Sequence, residues 1–438
     1  MRAVKAIVAF VALSAASVAC HAEEWPKWLG PNANGISTEP IASQWPAEGP
    51  KKLWEQKVGV GYSSPIALDG KVYLFYQVGD EERLSAFDAQ SGRPVWTQSY
   101  KDTVRADPSG PQDTNPDSGY PLPLATPTID NGKIYSYGGG GDLVCRKLED
   151  GSEIWHTNVL RELGERILQW AEASSPLVTD KVVYVQGGRG GPTAVAIDKE
   201  TGKIVMKSQS TSMGGYAAPI IADVQGTKQL VVFGNEQVIG MNPESGKTIW
   251  SFPWSNRAHV NAATPNYRDG YLFISSDYQT GCMILKLTPD GATKAWQNKV
   301  IQEKFQPGIL DGDYLYTNSG GTIKCMHWPD GKIAWEANDP KLRLNEGGSL
   351  VRDGDKLIAM SERGKLSLVQ AMPKSWKLIS QVQMFDFLKT WSTPLIYRGK
   401  LYCMGEDTLV CLDISSNTAR GNDWGGTGVS PVQTALGR

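Results

Sequence analysis

Residues 86–96 read Ala86-Phe87-Asp88-Ala89-Gln90-Ser91-Gly92-Arg93-Pro94-Val95-Trp96, and variants of this stretch recur along the chain. The best copies have a small residue, an Asp two positions later, a Ser-Gly or Thr-Gly pair, and a Trp ten positions after the small residue. A Gly in this place is typical of a tight turn, because it adopts positive φ without strain. Each copy therefore predicts a β-hairpin whose second strand carries a large ring that needs a packing slot.

Longer units become visible when the strands around these hairpins are counted. Most units begin with two small residues before a Pro, as in Ser63-Ser64-Pro65, and contain four predicted strands separated by turn residues. Eight units follow one another, and they start at Ser63, Ala125, Ser174, Ala217, Ala263, Gln306, Gly347 and Ser392. Many short strands, together with 47 Gly and 26 Pro residues, indicate an all-β protein.

The two ends of this array are incomplete in a complementary way. The eighth unit, which ends at Asp413, has only three strands, whereas a lone strand around Trp54 precedes the first unit. Such sheets bury their faces only against their neighbours, so a closed ring is the natural arrangement, and the early strand removes the free edge. We predict an eight-bladed β-propeller of four-stranded blades, closed by an N-terminal strand. An open β-solenoid or two sandwiches would explain neither incomplete end.

The segments outside the repeats divide the rest of the chain. Residues 1–22 combine two basic residues, an apolar run and a small-residue end, which predict a signal peptide cleaved after Ala22 and a periplasmic or secreted protein. A lipid anchor at Cys20 is the alternative. We expect residues 23–50 to form a coil packed on the propeller at 51–415, and residues 416–438 to form a disordered tail.

Two departures from the repeat lie between blades. Residues 101–124 form a long Pro-rich insertion, which we expect to cover one face of the propeller. Residues 160–170 predict one short helix.

Charge and cysteine content exclude several classes of protein. The formal net charge is −2 and the basic residues are scattered, which argues against binding to nucleic acid or to an anionic membrane surface. After the signal, no segment is apolar for long enough to span a bilayer. Five cysteines then remain, with no adjacent pair and no Cys-x-x-Cys, so we predict small buried residues rather than a disulfide framework.

Several copies of the repeat resemble a known family motif. The pattern at residues 86–96, 196–206 and 240–250 resembles the tryptophan-docking motif of pyrroloquinoline-quinone (PQQ)-type propellers. The stretch from Trp25 to Ser37 resembles the head of exported PQQ-like repeat proteins. That family includes quinoprotein alcohol dehydrogenases and the outer-membrane protein assembly-factor propeller. The resemblance covers residues 25–413 and implies the fold, but one propeller fold serves many functions.

Candidate site residues follow from the blade register. The residues just before each innermost strand are expected to surround one mouth of the central channel. They combine aromatic rings with hydrogen-bonding side chains, as expected of a pocket for a flat polar ligand or a peptide segment. The candidates are Tyr62, Tyr120, Trp170, Glu172, Tyr216, His259, Asn261, Phe305, Glu346 and Trp391. These side chains could equally plug the channel and satisfy backbone groups there.

Three functions remain open at this point. The first is a non-catalytic, monomeric module that binds an unknown protein or small polar ligand through the aromatic mouth. The alternative is a PQQ- and Ca-dependent quinoprotein dehydrogenase of alcohols or sugars, with Glu172, Asn261 and Glu346 as oxygen donors for Ca²⁺. A third is a hydrolytic or carbohydrate-binding propeller that uses Glu172 and Glu346 as paired carboxylates. The resemblance implies a catalytic Asp and often a Cys-Cys pair for the dehydrogenases, but no matching stretch exists here, so no catalytic residue is assigned.

Overall fold

The computed structural model describes residues 23–102, 122–386, 389–405 and 407–416. The predicted signal peptide, almost all of the predicted tail and most of the Pro-rich insertion, including Tyr120, lie outside the described residues. Within them the chain forms eight β-sheets arranged as the blades of a propeller, which confirms the predicted fold class.

The strands of the first half of the ring follow the predicted units. Two strands, β1 (Ile36–Ser37) and β2 (Lys51–Lys57), precede the first blade. Blades 1 to 4 contain β3 (Ile66–Leu68), β4 (Lys71–Val78), β5 (Glu81–Asp88) and β6 (Pro94–Lys101); β7 (Thr128–Asp130), β8 (Lys133–Tyr137), β9 (Asp142–Lys147) and β10 (Glu153–Asn158); β11 (Leu177–Val178), β12 (Val182–Gln186), β13 (Ala194–Asp198) and β14 (Ile204–Lys207); and β15 (Ile220–Val224), β16 (Thr227–Phe233), β17 (Gln237–Met241) and β18 (Thr248–Pro253).

The second half repeats the same antiparallel order, and a short 3-10 turn at Pro340–Leu342 leads into the seventh blade. Blades 5 to 8 contain β19 (Asn266–Arg268), β20 (Tyr271–Ser276), β21 (Gly281–Thr288) and β22 (Gly291–Asn298); β23 (Ile309–Asp311), β24 (Tyr314–Ser319), β25 (Thr322–His327) and β26 (Ile333–Glu336); β27 (Ser349–Asp353), β28 (Lys356–Met360), β29 (Lys365–Met372) and β30 (Ser375–Gln383); and β31 (Leu395–Tyr397), β32 (Lys400–Gly405) and β33 (Thr408–Asp413).

The ring is closed as the two incomplete ends predict. Strand β2 pairs antiparallel with β33, with Trp54 opposite Cys411, and so becomes the outermost strand of blade 8. The Trp54 indole donates a hydrogen bond to the carbonyl of Ala89 in blade 1 at 3.2 Å. Closure therefore joins the start of the chain to its end and leaves no open blade in the ring.

The repeated Trp and Gly are explained by contacts between adjacent blades. Trp96 of blade 1 donates from its indole N–H to the Leu148 carbonyl of blade 2 at 3.2 Å. A Cβ added at Gly151 of blade 2 would lie 2.6 Å from the same ring, and Gly151 has a φ of +73°. The motif Gly thus serves the turn and leaves room for the Trp of the preceding blade. The same contact recurs between Trp155 and Gly202.

A belt of hydrogen bonds joins the blades around the channel. Its hydroxyl groups belong to Ser and Thr residues that directly precede the Pro of their unit. Each belt bond runs from a backbone N–H of one blade to a hydroxyl of the next, at 2.9–3.1 Å, and these bonds are Ser64 to Thr126, Thr126 to Ser175, Ala218 to Thr264 and Thr393 to Ser64. The belt explains why hydroxyl residues stand before the Pro in five of the eight units.

The connection after blade 2 corrects one prediction. The helix expected at residues 160–170 is only α1 (Val159–Leu163), because Gly164 ends it in the left-handed conformation. Arg166 then bridges to Arg189. No helix in the described part of the chain has the length and apolar character of a membrane span. All five described cysteines are buried and unpaired.

Candidate functional site

A cavity of about 330 Å³ opens at the mouth of the central channel, and we call it the funnel. Seven of its eighteen lining residues are aromatic, and belt hydroxyls are among the polar groups. Five of the ten residues predicted for the mouth line it, namely Tyr62, Trp170, Tyr216, Phe305 and Trp391. Predicting mouth residues from the Pro-marked strands therefore finds the aromatic part of the wall.

Trp391 contacts two other aromatic residues of the funnel. Its ring centroid lies 4.4 Å from that of Tyr62 and 4.6 Å from that of Phe305, in tilted arrangements. Its indole N–H donates to Glu362 Oε1 at 3.0 Å. The other oxygen of Glu362 accepts the backbone N–H of Gly347 at 3.3 Å. These contacts fix the Trp391 ring, so one side of the funnel presents a preformed aromatic surface.

Trp170 and Tyr216 form a second aromatic part of the wall. The Tyr216 hydroxyl accepts the backbone N–H of Trp170 at 3.3 Å. The residue after Trp170, Ala171, has a φ of +67°, a conformation that is uncommon for residues other than Gly. Glu172 supports this turn, since its Oε1 accepts the N–H of Leu168 at 3.2 Å. A strained turn held by a buried carboxylate thus positions Trp170.

Two lysines contribute charge to the funnel wall. Lys304 forms an ion pair with Glu346 Oε2 at 2.6 Å and lies 5.4 Å from the Phe305 ring centroid. Burial acts to lower the pKa of Lys304, but the hydrogen bond and charge of Glu346, with Tyr278 and Asp277, raise it overall. Lys389 lies 5.4 Å from the centroid of Trp391. The site therefore combines aromatic faces with fixed cationic groups.

The other predicted residues that the structure describes do not line the funnel. Glu172 and Asn261 are fully buried behind the wall. Asn261 is used in local bonds, accepting from Ser276 Oγ at 2.6 Å. His259 is exposed in a turn with a φ of +51°, and Glu346 lies outside the lining in its pair with Lys304. The pKa of Glu172 is raised well above its usual value by burial.

Glu303 is a buried carboxylate that the sequence interpretation missed. It stands four residues before a unit Pro, the same offset as Glu172 and Asn261. Its Oε1 accepts the N–H of Gly308 at 2.8 Å and the hydroxyl of Thr317 at 2.7 Å. Burial raises the pKa of Glu303 to about 7, although both hydrogen bonds act to lower it. The shared offset was the available signal, and it marks residues that fix the loops leading into the blades.

The donor groups of the funnel do not match a Ca-bound PQQ. Among the described residues that line the funnel, Glu362 is the one carboxylate, and it already accepts two N–H groups. Calcium needs about six to eight oxygen ligands. The described residues contain no group of three or more His, Cys, Asp or Glu side chains placed to hold a metal ion.

Comparisons with known proteins agree on the architecture. A family model described as outer membrane protein assembly factor BamB matches residues 46–115 and 83–337. A sequence search of curated proteins gives no significant match.

Two similar solved structures represent different functions. BamB from Moraxella catarrhalis is 13% identical, with a TM-score of 0.59, covering 82% of this chain and 96% of that one. The quinohemoprotein alcohol dehydrogenase from Comamonas testosteroni is 12% identical, with a TM-score of 0.61, covering 95% of this chain and 82% of that one. At these identities the likeness concerns the fold alone. The family match spans more than half of the chain, and the protein therefore belongs to the BamB family of PQQ-like propellers.

Proposed function

We propose that this protein is an exported binding module whose funnel receives an extended segment of a partner protein, with an aromatic side chain of that segment packed against Trp391. The observation that carries the proposal is the preformed aromatic surface around Trp391. Its ring centroid lies 4.4 Å from that of Tyr62 and 4.6 Å from that of Phe305. Preformed, mainly apolar concave sites with a few polar groups are typical of ligand recognition.

The polar groups of the funnel suit a peptide backbone. Ser64, Thr126 and Ser175 line the funnel, and each hydroxyl accepts one belt N–H. A hydroxyl that accepts one bond still has a hydrogen to donate, so these groups can bind a ligand carbonyl. Peptide carbonyls are neutral acceptors and need no buried counter-charge. An aromatic side chain flanked by backbone therefore matches both the apolar and the polar parts of the wall.

The second candidate is the PQQ-dependent dehydrogenase. The observation in its favour is the similarity in fold to a quinohemoprotein alcohol dehydrogenase. The donor groups described above weigh against it, because Glu362 is the one carboxylate among the described lining residues. The dehydrogenase is therefore the alternative outcome of the experiment.

The test selects ligands from a displayed library of random peptides and measures the affinity of the selected peptides by calorimetry. We expect enrichment of aromatic residues, and an affinity at least about fivefold lower for Trp391→Ala, since an aromatic pair contributes about 1 kcal/mol beyond its buried area. Val205→Ala is the matched control, because Val205 is exposed on an outer strand.

The same protein is also titrated with PQQ and Ca²⁺ and assayed for dye-linked oxidation of alcohols and sugars. Saturable PQQ binding with turnover would overturn the proposal in favour of the dehydrogenase. Equal peptide affinity in the wild type and Trp391→Ala would also overturn it, because the funnel would then not be the binding site.

A further inference from the structure

We propose that residues 25–37, which we call the floor segment, close the funnel from below, and that Trp28 sets how deeply a ligand side chain can enter. The inference rests on the proposed function of the funnel. It assigns a role to the Trp-Pro-x-x-x-Gly-Pro stretch, which the binding proposal leaves unexplained.

The floor segment is anchored to three blades. Trp25 and Ala67 of blade 1 exchange backbone hydrogen bonds of 2.9 and 2.8 Å, and the Pro26 carbonyl accepts the N–H of Ile129 in blade 2 at 2.7 Å. Farther along the segment, β1 pairs in parallel with β27, so that blade 7 has five strands. These contacts are at the ends of the innermost strands away from the mouth. Between them the segment passes below the funnel, and this is the part that closes it in the proposal.

The crossing part of the floor segment has a defined shape. Leu29, Gly30 and Gly35 all have positive φ values, of 62°, 82° and 71°. The N–H of Gly35 donates to the Leu29 carbonyl at 2.9 Å. A Cβ at Gly30 would lie 2.9 Å from the buried ring of Trp25. So many residues with positive φ indicate that the loop has one defined conformation, since such backbone conformations persist only where surrounding contacts determine them.

Trp28 is the residue of this loop that reaches the funnel. Its side chain is half-buried and belongs to the funnel wall. Its indole N–H lies 3.5 Å from Oγ1 of the belt residue Thr393, and this hydroxyl donates to Gln306 Oε1 at 2.8 Å. Gln306 in turn donates to the Trp391 carbonyl at 3.0 Å. The floor segment is thus connected to the wall that carries Trp391.

The consequence is a limit on ligand length. A side chain that enters at the mouth and packs on Trp391 meets the Trp28 ring below it, so a longer side chain is excluded. Without the Trp28 ring, the space that the ring fills would become part of the funnel. Trp28 is therefore a specificity-determining residue, and the preference for short over long aromatic side chains is its measurable effect.

The test compares two probes, N-acetylphenylalaninamide and its longer analogue N-acetyl-4-phenylphenylalaninamide, by titration. We expect the wild type to favour the shorter probe, and Trp28→Ala to change the ratio of affinities at least tenfold towards the longer one. Trp28→Phe is made in parallel, because it keeps a smaller ring if the Ala variant does not fold. The matched control is Trp45→Ala, since Trp45 is a buried Trp of the same N-terminal coil whose backbone bonds to Ser380. It should keep the wild-type ratio.

Protein labelled with 5-fluorotryptophan separates the possible failures. The shorter probe should shift the fluorine resonances of Trp391 and Trp28 and leave that of Trp45 unchanged. If only the Trp391 resonance shifts, and folded Trp28 variants keep the wild-type affinity ratio, the proposed role of the floor segment is refuted and the proposed function remains intact. No shift of Trp391 would overturn both.

Discussion

We expect the free energy of unfolding of the wild-type protein to fall as the pH rises, and the substitution Glu82→Gln to remove most of this fall. Glu82 is fully buried at the start of β5, where it accepts hydrogen bonds from the Tyr100 hydroxyl and from the N–H of Gly139 at 3.0 Å. Burial first, and the charge of Asp102 next, raise its pKa from 4.5 to about 8 despite these two donors. The folded protein therefore prefers the protonated carboxyl.

The sign and size of the effect follow from this shift. The stabilising contribution is complete below the unfolded pKa of 4.5 and is lost as the pH rises through about 8. At 1.36 kcal/mol for each pKa unit, ionisation of Glu82 lowers the free energy of unfolding by about 3 kcal/mol between about pH 6 and about pH 9. Gln stays neutral and keeps an acceptor for Gly139, so the variant should lack this contribution.

The assay is urea unfolding followed by Trp fluorescence at several pH values. Glu48→Gln is the control, because Glu48 is exposed in the N-terminal coil. We expect the wild type and this control to lose stability in parallel between about pH 6 and about pH 9, and Glu82→Gln to lose less over the same range by about 3 kcal/mol. Parallel curves for Glu82→Gln and the wild type would refute the argument from burial.

Two further predictions concern the contacts that set the blade register. Gly151→Ala should lower the free energy of unfolding by at least about 2 kcal/mol more than Gly132→Ala, because both positions have positive φ but only the Cβ at position 151 would meet Trp96. A loss equal to that of the control would contradict the packing role. Thr126→Val should cost about 1–3 kcal/mol in urea unfolding, because it leaves the buried N–H of Ser64 without its belt acceptor. An unchanged unfolding midpoint would show that the belt is not stabilising.

The closed ring could be predicted because its signals are local and repeated. A hairpin with a Gly and a Trp at fixed spacing needs only neighbouring residues to form, and the copies of it among the eight units reinforce one another. The three-stranded last unit and the lone strand at Trp54 then determine the closure, which β2 confirms. The helix at 160–170 was predicted too long, since Gly164 adopts the left-handed conformation that ends it.

The floor of the funnel could not be predicted in the same way. Residues 25–37 have no strand periodicity, and Trp28 contacts Thr393, which is 365 positions away in the sequence. Likewise, the contact between Glu362 and Trp391 depends on how two blades meet rather than on either local sequence. The mouth aromatics were found because Pro marks where each blade begins. Which polar neighbours face inward is decided by packing, and Glu172 and Asn261 face the interior of the wall.

The most direct test of the central claim places the photoreactive amino acid p-benzoylphenylalanine in the funnel at position 305, and at position 205 as a control. Phe305 lines the funnel, whereas Val205 is exposed on the outer strand of blade 3. After irradiation of cells that make the full chain, mass spectrometry identifies what is attached. The account predicts a polypeptide adduct at position 305, absent at position 205, in which the attached segment contains an aromatic residue. Adducts at position 205 alone, or equal adducts at both positions, would contradict it.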